Sequence, residues 1–154
     1  MSFISSLKNG YGNIAKAENM LQSIFLLIIR LYWGWQFFMA GFAKLLHIDT
    51  TAAFFGNVGI PLPLINAYLA GSVEMIGGLL LVFGFLTRIA TIPMIFTMFV
   101  ALATAHREAL LGIFFHPDTF VTQSPISFLL VFFIVMIFGA GKFSLDYIIF
   151  RDKC

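Results

Sequence analysis

Four stretches of this chain are apolar enough, and long enough, to read as membrane-crossing helices: about Leu21 to Leu46, Leu64 to Leu86, Ile89 to Ala105 and Pro125 to Ala140. Each approaches or exceeds the roughly 18 residues that a helical span requires. Inside the first two, the polar and small residues form stripes. Arg30, Gly34, Phe37, Gly41 and Lys44 recur at steps of four and three, and so do Ala67, Gly71, Glu74, Gly78 and Leu81. That spacing places each set on one helix face. Small residues on such a face let two membrane helices approach closely. Arg88 is the one charge between the second and third stretches, so the turn there is short and predicts an antiparallel hairpin.

Residues 1–20 mix Phe3, Ile4, Leu7, Tyr11 and Ile14 with Lys8 and Lys16. The mixture predicts an interfacial helix, broken near Gly10 and Gly12. A second interfacial helix is expected from Asp49 or Thr50, stopped by Gly56, Gly59, Pro61 and Pro63. The loop over 106–124 carries Phe114, Phe115 and Phe120 beside His116 and Asp118, and is too apolar to be freely solvated. The whole pattern predicts an all-α polytopic membrane protein. It is an antiparallel four-transmembrane-helix bundle over 21–146, with short interfacial helices, an N-terminal segment over 1–20 and a tail over 147–154.

Composition removes the other classes. Of 154 residues, 60% are hydrophobic and 10% charged, with a mean hydropathy of +0.98. A soluble domain has about 45–50% apolar and about 25% charged residues, and a small one leaves much of its surface in solvent. A soluble enzyme, a nucleic-acid binder and a disordered regulator are excluded on that ground. The net charge of +2 is too small to point to a polyanion. The cations are unevenly placed. Lys8, Lys16, Arg88, Lys142, Arg151 and Lys153 fall on one side of the predicted bundle, Lys44 and Arg107 on the other. This predicts both termini in the cytoplasm. The first apolar run starts late, is long and contains Arg30, unlike a cleavable signal peptide. The lone Cys154 gives no internal disulfide and no CxxC pair.

Two charges lie well inside the apolar stretches. Counted from the span ends, Arg30 and Glu74 sit roughly 14 and 18 Å from the cytoplasmic face. A lone charge near the bilayer centre costs about 2.5–3.5 kcal/mol even on a lenient scale. The pattern therefore predicts an Arg30–Glu74 ion pair facing the bundle interior, either a clamp between two helices or part of a ligand site. Lys44 and Arg88 read as interfacial anchors that snorkel. Tyr32, Trp33 and Trp35 lie deeper than an aromatic belt requires, and either pack against neighbouring helices or line a cavity. His47, His106 and His116 gather toward the outer side without a short ligand spacing, so no metal site is predicted. Nucleotide and phosphate-loop fingerprints are absent from the sequence. The candidate ligand-binding set is Arg30, Trp33, Phe37, Lys44, Glu74 and His106, with Glu74 and Arg30 as the catalytic candidates.

These residues, in order, resemble the DoxX-like family of small four-helix membrane proteins, which includes the DoxD-type subunits. The resemblance spans about residues 25–147. It begins with Arg30, Gly34, Phe38, Gly41, Phe42, Lys44 and Leu45, and continues with Phe55 and the Gly59-Ile60-Pro61-Leu62-Pro63 loop. Glu74-Met75-Ile76-Gly77-Gly78-Leu79-Leu80-Leu81, Gly84, Thr87, Arg88 and His106 follow. The ending Gly139-Ala140-Gly141-Lys142-Phe143-Ser144-Leu145-Asp146 is close to the family's GPGR-x-SLD. Ala140 replaces the usual Pro and Lys142 the usual Arg, and Ser124–Leu130 lacks the acid often found there. Some relatives are membrane subunits linked to quinone reduction during the oxidation of sulfur compounds. Others are associated with redox-stress complexes containing a sulfurtransferase and a superoxide dismutase. The resemblance thus implies a redox-associated, quinone-linked subunit of a bacterial inner membrane, acting with a redox partner protein and open to homodimer formation. No cofactor is encoded by a motif; a bound quinone is the one implied. The alternative is a non-catalytic scaffold or assembly factor in which the Arg30–Glu74 pair is purely structural. A solute transporter fits less well, because no discontinuous-helix signal is present.

Overall fold

In the computed structural model, described over residues 2–111 and 117–150 with side chains at 18, 20–111, 118 and 120–150, all regular structure is helix. The elements are α1 Ser2–Leu46, α2 Ile48–Asn57, α3 Pro63–Phe83, α4 Thr87–Thr104, α5 Arg107–Leu111, α6 Pro117–Val121, α7 Ser124–Phe138 and α8 Leu145–Ile149. The four long helices pair as α1 with α3 and α4 with α7, and α3–α4 and α1–α7 contacts close the bundle. Three segments are long and apolar enough to cross a membrane: Met20–Leu46 with 27 residues, Pro63–Phe83 with 21 and Thr87–Thr104 with 18. Helix α7 is apolar throughout but has 15 residues, about 22 Å of helix. Pro125 sits in its first turn, and Gly139, at a φ of 77°, ends it.

Helix α1 is continuous through Gly10 and Gly12, where the hydrophobic pattern places a break. Two mid-helix glycines disfavour helix by only about 1 kcal/mol each relative to alanine, too little to interrupt a helix extended at both ends. The expected interfacial helix near Asp49 is present as α2, which packs on α3 and buries none of its residues. His116 and the tail beyond residue 150, Cys154 included, lie outside the described residues.

Leu26, Ile29, Phe37, Leu81, Met94, Leu129, Phe132 and Val135 form the core. Phe37 of α1 meets Phe128 and Phe132 of α7, with ring centroids 5.2 and 4.9 Å apart. Ile76, Ile92, Leu130 and Ile137 face outward and are each more than half exposed. A surface this apolar belongs in hydrocarbon rather than water.

The two small-residue stripes meet as the sequence spacing predicts, and they fix how α1 and α3 sit against each other. A Cβ on Gly78 would lie 2.7 Å from the carbonyl oxygen of Gly34 and 2.8 Å from Phe38 Cα. A Cβ on Gly41 would lie 2.6 Å from the carbonyl oxygen of Gly71. Backbone faces backbone at both levels, which no larger residue permits. Replacing Gly78 by Ala should therefore destabilise the protein by about 1–3 kcal/mol through overpacking. Gly56→Ala is the control. Its added Cβ would meet only Pro63 Cγ, at 3.5 Å, so helix propensity should raise stability by up to about 1 kcal/mol. Denaturant titration of both variants in detergent micelles, followed by circular dichroism, checks the contrast.

Candidate functional site

Gly34 facing Gly78 decides the partners of the buried charges. In this register Arg30 is level with the end of α3, and Glu74 lies about eight residues, roughly 12 Å, further along the axis. The predicted Arg30–Glu74 pair does not form. Its depth estimate took the apolar edge of each span as a common level, but α1 runs on past the end of α3.

Arg30 is 1% exposed and is held by backbone instead. Nε donates to the Leu81 carbonyl at 3.0 Å, and Nη2 donates to those of Val82 at 3.4 Å and Phe143 at 3.1 Å. Nη1 donates to the carbonyl of Ala140. Two of these acceptors belong to the last turn of α3, and two to the segment after α7. Carbonyls at a helix C-terminus lack an intrahelical donor and carry partial negative charge, which suits a guanidinium. Gly84 makes room for it. A Cβ there would lie 2.7 Å from Arg30 Cζ, and its φ of 68° closes α3 with hydrogen bonds from Gly84 N to Leu81 O and from Phe85 N to Leu80 O.

The Ser144-Leu145-Asp146 ending completes this end of the molecule. Leu86 precedes α4 with a φ of 47° and no capping side chain of its own. Asp146 supplies the cap from across the bundle. Its Oδ1 accepts from Leu86 N at 2.6 Å, and its Oδ2 from Thr87 N at 3.0 Å and Thr87 Oγ1 at 2.5 Å. Asp146 N in turn donates to Gly84 O at 2.9 Å. Arg30 thus staples the end of α3 to the segment after α7, with four of its five N–H donors engaged by backbone carbonyls.

The other buried charge lies at the opposite end. Glu74, 2% exposed, forms an ion pair with Lys44, which stands on the same stripe as Arg30, one turn past Gly41. Lys44 is 31% exposed on its side chain and has Glu74 as its one partner among the described residues. The pair borders a cavity of about 750 Å³. Phe37, Ala40 and Lys44 of α1 form one wall, and Asn66, Ala70 and Glu74 of α3 a second. Pro93, Phe96 and Thr97 of α4 form a third, closed by His106 and by Ser124, Pro125 and Phe128 at the start of α7. Phe54 and Phe55 of α2 and Ile60 of the following loop also line the cavity. Asn66 fixes the adjoining loop by donating from Nδ2 to the Pro61 carbonyl at 2.6 Å.

Of the predicted set, Phe37, Lys44, Glu74 and His106 come together here. Arg30 and Trp33 do not. Trp33 is half-buried against the core and meets Tyr32 edge-on, with centroids 4.7 Å apart. Asn66 and the α2 phenylalanines were missed as lining residues. Asn66 carried a signal, as an amide just inside an apolar span beside the Gly59–Pro63 loop.

A pair of thermodynamic cycles separates the two pairings. Lys44→Met combined with Glu74→Gln should show a coupling energy of about 0.5–3 kcal/mol, as residues in contact do. Arg30→Lys combined with Glu74→Gln should be additive to about 0.5 kcal/mol. Arg30→Lys alone should destabilise by about 1–3 kcal/mol, because an ammonium cannot satisfy carbonyls spread around a planar fork. Stability in detergent for each single and double variant measures all three.

Comparison with known proteins agrees with this architecture. The DoxX family profile matches residues 25–107. A Bacillus subtilis protein named "Putative oxidoreductase CatD" is 36% identical over 83 residues, which are 54% of this chain and 60% of that protein, less than two thirds of its length. The Escherichia coli inner membrane protein YphA is 29% identical over 80% of this chain and 89% of its own length. A membrane protein of Mycobacterium tuberculosis is 32% identical over 78% of each chain. No solved structure matches. The matched span runs from α1 through the end of α4 and includes both Arg30 and the Lys44–Glu74 pair, and with its apolar helices this integral membrane protein belongs to the DoxX family.

Proposed function

We propose that the protein is a quinone-linked membrane subunit of a redox system, with the cavity beside Lys44 and Glu74 as its quinone site. The observation that carries this reading is the cavity itself. At about 750 Å³ it falls within the roughly 300–1,000 Å³ of small-molecule sites, which pair apolar walls with a few convergent polar groups. Its aromatic residues suit a flat ring, and Lys44, Asn66 and His106 are donors of the kind a ring carbonyl needs. The oxidoreductase label of CatD lends support from a relative.

A bound quinone would accept two electrons from a reduced partner protein and two protons. The chain's own residues bind and orient. Glu74 holds one donor of the Lys44 ammonium and leaves others to turn toward the cavity. His106 offers a ring nitrogen at the opposite wall, where α4 has ended. Phe54 and Phe55 add aromatic surface to the lining. Helix α7 completes the bundle as a fourth span, both termini face the cytoplasm, and the membrane is the bacterial inner membrane. The cation distribution supports that orientation.

Organic extraction of the protein purified in mild detergent, followed by mass spectrometry, should recover a quinone. Lys44→Met should retain about tenfold less, the equivalent of one charge-assisted hydrogen bond, with helicity unchanged. Ala70→Phe, which fills the cavity from a different helix, should lower retention as well. Absence of quinone from wild-type protein, together with no saturable binding of a short-chain quinone, overturns the reading.

A further inference from the structure

A second cavity, of about 720 Å³, opens at the Arg30 end between α1, the α3–α4 turn and the segment joining α7 to α8. Leu26, Ile89, Phe138 and Phe150 supply its apolar walls, and Arg88 and Lys142 its cations. Both cations are exposed, and neither has a salt bridge or hydrogen-bond partner for its side chain among the described residues. Among the described residues the one carboxylate lining the cavity, Asp146, is already engaged by Leu86 N, Thr87 N and Thr87 Oγ1. Glu18, exposed on α1 four residues before Gln22, lies outside the lining.

The backbone beneath the cations is bare. Gly139 and Gly141 both have a φ of 77°, and a Cβ on Gly139 would lie 3.4 Å from Arg88 Nη2. The guanidinium therefore rests across glycine backbone with its fork unused. The rim beside it is apolar and outward-facing. Ile89 is 64% exposed, Phe138 56% and Ile148 of α8 71%. Residues this apolar sit in the membrane, so the cavity straddles the level at which hydrocarbon gives way to headgroups.

We propose that this cavity binds the phosphate of an anionic phospholipid, with Arg88 and Lys142 on the phosphate oxygens and an acyl chain along Ile89 and Phe138. Arg is suited to phosphate because its fork engages two oxygens at once. The lipid is favoured over free phosphate because Leu26, Ile89, Phe138 and Phe150 line the cavity beside the cations, and Ile89 and Phe138 continue onto the exposed apolar surface. The site is separate from the cavity beside Glu74 and does not depend on quinone binding there.

Native mass spectrometry of the purified protein in mild detergent tests the proposal. Phosphatidylglycerol and phosphatidylcholine of matched acyl chains are supplied in competition. Each basic residue near a lipid surface contributes about fivefold in affinity, so with two of them phosphatidylglycerol should be preferred by about twenty-five-fold. Arg88→Gln should lower that preference about fivefold, as should Lys142→Gln, which changes only an exposed turn residue. The double variant should remove it while helicity in lipid-free detergent stays unchanged. Arg107→Gln, which alters a cation at the other end of the bundle, should leave the preference intact. Equal retention of the two lipids overturns the proposal, as does a preference that survives in Lys142→Gln and the double variant. Displacement of phosphatidylglycerol by millimolar inorganic phosphate would also overturn it, by assigning the site to a soluble anion.

Discussion

The Arg30 guanidinium is the constraint on which the rest of this fold depends. Burying a cation among apolar helices is costly unless each donor is matched, and here the acceptors are four backbone carbonyls rather than a carboxylate. That choice ties the end of α3 to the segment after α7, beside the hydrogen bonds of Asp146 to Gly84, Leu86 and Thr87. Leu81 and Val82 end α3, while Ala140 and Phe143 follow α7, so one side chain of α1 sets where both helices stop. Asp146, brought in by the segment that Arg30 fixes, then caps α4. The staple and the cap together span all four long helices.

Much of this was legible in the sequence, and what was not has a definite physical cause. Helices α2, α3 and α4 begin and end within a few residues of where hydropathy, Pro63 and Gly84 place them. The faces of α1 and α3 were legible too, because glycine and charge at helical spacing leave few alternatives. Register was not. It is set by the depth to which Gly34 and Gly41 nest against α3, and the apolar limits of a span do not report that depth. An offset of about eight residues was enough to exchange the partner of Glu74 from Arg30 to Lys44. A second obstacle is general: a cation satisfied by carbonyls has no partner residue that a sequence could display, so pairing Arg30 with the nearest buried acid was the natural error.

The exchange of partners matters for chemistry. Arg30 spends four of its five N–H donors on backbone carbonyls. Lys44 is different: one carboxylate holds it, its side chain is partly exposed, and a cavity lies beside it. The pair stands beside the closest approach of α1 and α3, where a Cβ on Gly41 would lie 2.8 Å from the Glu74 carbonyl carbon, so the glycine contact fixes where Glu74 meets Lys44. His106 reaches the same cavity because α4 stops at Thr104, and α7 reaches it with its first turn.

The two ends of the bundle therefore differ in how firmly they are closed. At the Arg30 end, backbone carbonyls, a glycine turn and Asp146 interlock, and movement of any one would leave buried polar groups unmatched. At the Glu74 end an ion pair stands in place of that network: Lys44 and Glu74 hold each other, and α2, which adds Phe54 and Phe55 to the cavity lining, buries none of its own residues. The division between the two ends is made by which of two cations on one stripe of α1 meets carbonyls and which meets a carboxylate.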